Sequence, residues 1–315
     1  MQKSKSRTIT QKHYDKRRQT MTNKLIVVAP TYYASVTEGR FQLAKETCSQ
    51  AYKHQIRIII IDGSPLDEDI IYNEFTQNGQ FDEYVKVIPQ QAIGKKGVAL
   101  REGIAAAVKE LNENKDGDDS PNIIAFQEPE KVDMIRHWKS IVEHMTNTST
   151  GTNFGIVLPR RSDESFRRTY PIEQYHAETF GNMYLNILGS KIGLPNTIDW
   201  TIGPIAFDSN YAKYWLEYTN GDLWDAQLIP MIRAFVTSDG QIKISANYEI
   251  DYEHPTTMKE EEQDSVEWCE KRLYQLQVLK DTVGDELKKA AITYPSPINE
   301  QNDKEHPECF VYNCC

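Results

Sequence analysis

The chain has 315 residues and a formal net charge of −10, enough length for one large domain or a domain with an appended lobe. That acidity argues against nucleic acid as the main partner, because phosphate binding needs a basic surface. No apolar stretch approaches the roughly 18 residues that span a bilayer, so no transmembrane segment is expected.

Residues 1–23 are basic and polar with no apolar core, the pattern of a flexible tail and not of a secretory signal. Leu25 to Pro30, LIVVAP, is a nearly continuous β-branched run without alternation, as in a strand covered on both faces. Arg40 to Lys53 places Phe41, Leu43 or Ala44, Thr47 or Cys48, and Ala51 at helical spacing. A second buried strand is expected at Ile56 to Ile61, closed by Asp62-Gly63-Ser64-Pro65. Asp62 is then the first polar side chain at the carboxyl edge of that strand, where it can accept hydrogen bonds from a base or ribose. It is equally a turn-forming residue before glycine, and the two roles are compatible.

A helix at Ile70 to Phe75 and a third strand at Tyr84 to Ile88 follow. Gly94-Lys95-Lys96-Gly97 then leads into an alanine-rich helix, so that Lys95, Lys96 and Arg101 carry positive charge near a helix N-terminus suited to phosphate. The spacing is neither a Walker A loop nor a dinucleotide fingerprint. After a charged loop from Asn112 to Pro121, Ile123 to Lys131 reads IIAFQEPEK, a fourth buried strand running into two carboxylates. Glu128 and Glu130 at a strand's carboxyl end suit Mg²⁺ or Mn²⁺ carrying a diphosphate, while a solvated acidic turn is the plain alternative. The alternation of strands and helices predicts a mainly parallel sheet.

Further on, a helix is expected at Met134 to Met145, a fifth strand at Phe154 to Pro159, and an arginine cluster at Arg160, Arg161, Arg167 and Arg168. That cluster is either an anion clamp or an internally paired face. A helix at Tyr175 to Leu188, a strand at Ile198 to Phe207 and a helix at Ala226 to Phe235 come next. Asp222 and Asp225 cap and charge the start of the last of these, and either can instead be a catalytic base or an acceptor-binding carboxylate. Ile242 to Tyr252 alternates like a strand and ends at His254, a side chain of the right class for a third metal ligand. Lys259 to Ala291 reads as a long amphipathic helical region that packs on the domain or mediates homo-oligomer contact. Residues 295–315 have the composition of a flexible tail. The cysteines, Cys48, Cys269, Cys309, Cys314 and Cys315, match neither a zinc nor a secreted disulfide spacing, and favour a reducing, cytoplasmic setting. The terminal pair lacks the full C-a-a-X lipidation pattern.

Taken in order, IVVAPTYY at 26–33, IIIIDGSP at 58–65, GKKGVALREGIAAA at 94–107, FQEPEK at 126–131 and GDLWD at 221–225 resemble GT-A nucleotide-sugar glycosyltransferases of the family 2-like and mannosylglycerate-synthase-like kind. The resemblance covers about Leu25 to Pro255 and implies an α/β GT-A-like catalytic domain over 24–256 and transfer of a sugar from a UDP- or GDP-linked donor to an acceptor hydroxyl, while the amphipathic pattern beyond it marks a C-terminal helical extension over 257–294. It implies a nucleotide site at Pro30, Thr31, Tyr33, Asp62, Gly94, Lys96, Arg101, Gln127 and Glu128. It implies Mn²⁺ or Mg²⁺ on Glu128, Glu130 and His254, and an acceptor-side acid at Asp222 or Asp225. Tyr32, Tyr33, Trp200 and Trp224 are candidates for stacking on base or sugar, and each is equally a candidate for the core. Where such enzymes carry D-x-D, this chain has E-P-E, which keeps the carboxylates, lengthens both side chains and stiffens the link. The competing readings are a non-catalytic GT-A-like binding protein and a sugar-phosphate nucleotidyltransferase.

Overall fold

The structure is a computed structural model that describes residues 24–92, 94–113, 121–146 and 153–294. The two expected tails, Cys309, Cys314, Cys315 and most of the charged loop before the fourth strand lie outside the described residues. A seven-stranded, mainly parallel sheet organises the rest. Strands β1 (Leu25–Thr31), β2 (Arg57–Asp62), β3 (Val85–Pro89) and β4 (Ile123–Phe126) are mutually parallel in the order β3-β2-β1-β4. β7 (Ile205–Asp208) joins β4 antiparallel and is followed by β5 (Ile156–Val157) and β8 (Ile244–Ser245). Arg160–Arg161 (β6) and Glu249–Ile250 (β9) form a separate two-stranded sheet.

Both faces of the sheet are covered, which is why the central strands are apolar without alternation. Ile26, Val28, Ile59 and Ile61 face the apolar stripe of α3 (Lys96–Glu113), whose Ala99, Leu100, Ile104 and Ala107 are buried. Leu25, Val27, Ile58 and Ile60 face α1 (Gly39–His54) and α2 (Glu68–Thr76) on the other side, against Phe41, Ala44, Ile71 and Phe75. A 3₁₀ turn (Val132–His137) and α4 (Trp138–Met145) complete that layer, in place of the uniform helix expected from Met134.

The second half of the chain departs further from the sequence expectations. The strand foreseen over Ile198 to Phe207 begins only at Ile205, because Asp199 and Thr201 turn inward to bind Arg161 and Gly203 adopts a positive φ of 92°. The alternating stretch Ile242 to Tyr252 splits into β8 and β9, which belong to different sheets. α5 (Asp163–Thr169), α6 (Ile172–Ser190), α7 (Ala212–Glu217) and α8 (Asp225–Thr237) are helices. The C-terminal helical region is broken into α9 (Thr256–Glu262), α10 (Val266–Leu279), a π turn (Lys280–Gly284) and α11 (Asp285–Thr293). The Ser265 hydroxyl caps α10 by accepting from the Trp268 N–H, and α10 packs along α6. Among the described residues no helix is long and apolar enough to cross a membrane.

Candidate active site

The carboxyl ends of β1, β2 and β4 and the N-terminus of α3 meet at one edge of the sheet. They enclose a cavity of about 400 Å³ whose walls include Pro30, Thr31, Tyr32, Gly94, Lys96 and Glu128. Strand ends and a helix N-terminus converge here because parallel strands all point their carboxyl ends the same way. Asp62 stands behind the wall. Its Oδ1 accepts the hydroxyls of Thr31 at 2.7 Å and of Ser64 at 2.7 Å, and its Oδ2 accepts the Ser64 N–H at 3.2 Å. The turn-forming reading of Asp62 is seen in that geometry, and the Asx turn positions Thr31, while Asp62 itself does not line the cavity. Gln90, which no sequence signal singled out, lines the same cavity and fixes its far side by donating to the carbonyls of Ala92 and Gly94. Tyr32 lies at the mouth, 71 % exposed, whereas Tyr33 is buried and directs its hydroxyl to Glu130 Oε1 at 2.9 Å. Tyr33 is therefore a support for Glu130 and not a stacking platform. Trp200 is likewise buried in the core.

The E-P-E turn is held from below by the Thr47 hydroxyl, which donates to the Pro129 carbonyl at 2.6 Å. Gln127 corrects one expectation. Its side chain is fully buried, accepting from Trp138 Nε1 at 2.6 Å and donating to the Lys131 carbonyl, so it braces the turn and offers nothing to a nucleotide. Glu128 faces the cavity. Lys96 Nζ lies 3.0 Å from Glu128 Oε1, while Oε2 is buried without a hydrogen-bond partner. The carboxylate rests on the bare Cα of Gly203, where a Cβ would come within 2.7 Å of its Cδ. Burial alone would raise the Glu128 pKa, but the ammoniums of Lys96 and Lys131 hold it below the usual glutamate value. Glu130 goes the other way: burial pushes it up, only partly offset by hydrogen bonds to its carboxylate.

A second cavity of about 190 Å³ opens on the far side of Lys96, Glu128 and Glu130, which line both. Its other walls include Lys131, Tyr170, Gln174, Tyr252 and His254, and also Lys271 of α10. The Tyr170 and Tyr252 hydroxyls and Gln174 Oε1 are buried there with no hydrogen-bond partner. Buried polar atoms are ordinarily paired, so several unpaired ones around one space mark a site for a polar ligand. Lys131 and Lys271 add charge: among the described residues neither makes an ion pair, and Lys271 Nζ sits 3.6 Å above the Trp268 ring. Burial first, then Arg40 and Arg272, lower the Lys271 pKa to about 8.

The expected three-ligand metal centre is not assembled. Glu130 turns to Tyr33 and Glu128 to Lys96, while His254 stacks on Tyr170 at 4.1 Å with Nε2 3.7 Å from Glu262. Among the described residues no three His, Cys, Asp or Glu side chains are grouped to hold an ion. Arg101 is also reassigned. Its guanidinium donates to the carbonyls of Tyr218 and Gly221, both at 3.0 Å, and straps the Gly221–Asp225 loop to α3. Gly97 belongs to the same joint, since a Cβ there would collide with the Gly221 carbonyl. Asp225 accepts the Leu223 N–H at 2.9 Å and the Tyr218 hydroxyl at 3.4 Å and lines neither cavity. Asp222 is exposed and faces Lys95 at 3.5 Å. Asp225 holds the start of α8, Asp222 pairs with the loop before α3, and neither lines either cavity, whereas Trp224 reaches the second one.

Three of the four clustered arginines are consumed in internal pairs, and Arg167 is exposed. Buried Arg161 pairs bidentately with Asp199 and reaches Glu178 at 2.8 Å, while Arg160 pairs with Glu249 and Arg168 with Glu253. Glu178 continues to Arg272 of α10, which with Arg40 of α1 holds Glu262 of α9. This chain of charges is what brings the C-terminal helices to the second cavity. Lys131, Tyr170, Gln174, Tyr252 and Lys271 were not foreseen as site residues; only Lys131, next to E-P-E, carried a local signal.

No family model matches the sequence and no curated protein matches it. Solved structures do. Mycobacterium tuberculosis glucosyl-3-phosphoglycerate synthase in complex with UDP aligns over 88 % of this chain and 84 % of its own, with a TM-score of 0.51 and 14 % identity. The same protein in complex with Mn²⁺, UDP-glucose and phosphoglyceric acid aligns over 89 % and 85 %, with a TM-score of 0.50 and 13 % identity. The chain thus has the GT-A fold of a nucleotide-sugar glycosyltransferase structure, as its motifs led one to expect.

Proposed function

We propose that the protein is a nucleotide-sugar-dependent glycosyltransferase, with a UDP-linked donor in the larger cavity and a small anionic acceptor in the smaller one. The observation that carries this reading is the adjacency of the two cavities across Lys96, Glu128 and Glu130. A donor's anomeric carbon has to lie between a diphosphate site and an acceptor site, and these three side chains stand at that junction. The occurrence of UDP and UDP-glucose in the similar solved structures supports uridine over guanine in the donor.

Mn²⁺ or Mg²⁺ fits this site through Glu128, whose buried Oε2 is unpartnered and whose carboxylate has room only because residue 203 is glycine. Such ions are commonly held by one or two carboxylates together with substrate phosphates, so a complete protein cage is not required. When bound, the ion neutralises charge on the departing diphosphate. Lys96, in the first turn of α3, adds its own charge and the helix N-terminus to the same task. Glu130 is held by Tyr33 between the cavities. In the second cavity Lys131 and Lys271 receive the acceptor's anionic group, and the Tyr170 and Tyr252 hydroxyls and Gln174 orient its hydroxyls. Phosphoglyceric acid, present in the similar structure, is an acceptor of that class; a volume of about 190 Å³ suits a molecule of that size and not a polymer.

The test is thermal stabilisation by UDP, GDP and CDP with Mn²⁺ or EDTA, followed by UDP release from UDP-glucose with phosphoglyceric acid present. UDP with Mn²⁺ is expected to stabilise by about 2.7 kcal/mol at a hundredfold excess over Kd. Lys271→Met is expected to raise the acceptor KM tenfold or more and leave UDP binding unchanged. Failure of every nucleotide to shift the melting temperature overturns the reading.

A further inference from the structure

We infer that Lys96 makes metal loading conditional on the donor: its ammonium occupies Glu128 until a diphosphate draws it away, and only then is the carboxylate free to take a divalent ion. The inference rests on the glycosyltransferase reading above and concerns the order of events in that site.

The Glu128 carboxylate has two oxygens and little freedom. Oε1 is 3.0 Å from Lys96 Nζ, and Oε2 lies over Gly203, buried and without a hydrogen-bond partner. A divalent ion arriving alone on Oε2 would share one partly buried carboxylate with an ammonium, and two cations at that spacing repel strongly where water is scarce. Lys131, which also faces the second cavity, adds positive potential to Glu128 and none of the relief. A diphosphate changes the balance. Lys96 lines the larger cavity beside Gly94 and Lys95, so its flexible stem can carry the ammonium onto phosphate oxygens at the start of α3. The carboxylate and the phosphate oxygens then together supply the hard donors that Mn²⁺ or Mg²⁺ requires. The positive contact that excludes the ion in the absence of donor becomes a contact that holds the donor.

Coupling of this kind is reciprocal: whatever UDP does for Mn²⁺ affinity, Mn²⁺ does for UDP affinity. Some coupling arises from phosphate ligation alone, so the discriminating quantity is Mn²⁺ affinity without nucleotide. Free Mn²⁺ is followed by its electron paramagnetic resonance signal during titration of wild type, Lys96→Met and Glu128→Gln, each with and without UDP, and folding is checked by far-ultraviolet circular dichroism. Wild type is expected to bind Mn²⁺ weakly alone and at least a hundredfold more tightly with UDP. Lys96→Met is expected to bind Mn²⁺ alone at least tenfold more tightly than wild type, with weaker UDP binding and a smaller coupling. Glu128→Gln is expected to lose Mn²⁺ binding in both conditions. Unchanged Mn²⁺ affinity in Lys96→Met, with wild type still binding Mn²⁺ and UDP together, overturns the gating and leaves the transferase reading intact. Absence of UDP binding in wild type overturns both. Should Lys96→Met fail to fold, Lys96→Gln serves the same comparison.

Discussion

Replacing Gly203 by alanine perturbs the point on which the Glu128 carboxylate rests. Two costs add. At a φ of 92° a side chain sits in a region that L-residues avoid, at about 1–2 kcal/mol. The new Cβ would also lie within 2.7 Å of Glu128 Cδ, so the carboxylate must leave its place beside Lys96. That ion pair has side chains 24 % exposed on each side, and solvent screening keeps its loss to about 0–1 kcal/mol. The sum, about 2 kcal/mol, corresponds to a melting temperature lowered by roughly 3 °C in a chain of this size. Displacement of Glu128 should also weaken joint binding of Mn²⁺ and UDP, by about tenfold or more. Calorimetric melting and a titration with UDP at fixed Mn²⁺ read the two effects separately. A Gly203→Ala protein that melts and binds like wild type would refute the claim that Gly203 exists to seat this carboxylate.

Three other perturbations test the rest of the architecture. Arg161→Met strands the buried carboxylates of Asp199 and Glu178 and should cost about 3–5 kcal/mol in urea unfolding; a loss below about 1 kcal/mol would show that the network is not essential. Asp225→Asn should lower stability by about 1 kcal/mol by weakening its hold on the Leu223 N–H while leaving kcat close to wild type, whereas a collapse of kcat at unchanged stability would return Asp225 to the role of base. Glu262→Gln tests the acid limb: burial would raise the Glu262 pKa, but His254, Arg272 and Arg40 outweigh it and hold it at about 2, against an ordinary 4.5. Its contribution is therefore complete above pH 4.5 and lost as pH falls toward 2, so the variant should be less stable at neutral pH and show a flatter decline across that window in pH-dependent melting.

The first half of the fold was legible because its central strands are short apolar runs covered on both faces and closed by a polar punctuation mark. LIVVAP, RIIIID and IIAF end in Thr31, Asp62 and the E-P-E turn, and parallel strands necessarily gather those ends on one edge. Pro30, Thr31, Gly94, Lys96 and Glu128 share one cavity, residues that local pattern and the family resemblance together had singled out. What local pattern could not carry is the direction in which a polar side chain turns once the chain is folded. Gln127 goes inward to Trp138, Arg101 to two carbonyls and His254 to Glu262, each toward a partner on another element.

The second half was less legible because its strands are two to four residues long and its order depends on charge pairs between distant segments. Arg161 draws Asp199 and Thr201 out of a strand, and the Arg40, Glu262, Arg272 and Glu178 contacts seat α9 and α10 beside the second cavity. The sequence by itself determined the α/β class and the edge at which the strand ends gather, since hydrophobic period and strand-end chemistry are local properties. Only the tertiary structure decided which partner each carboxylate takes and which lysines line the second cavity, because those depend on residues brought together from positions as far apart as Glu128 and Lys271.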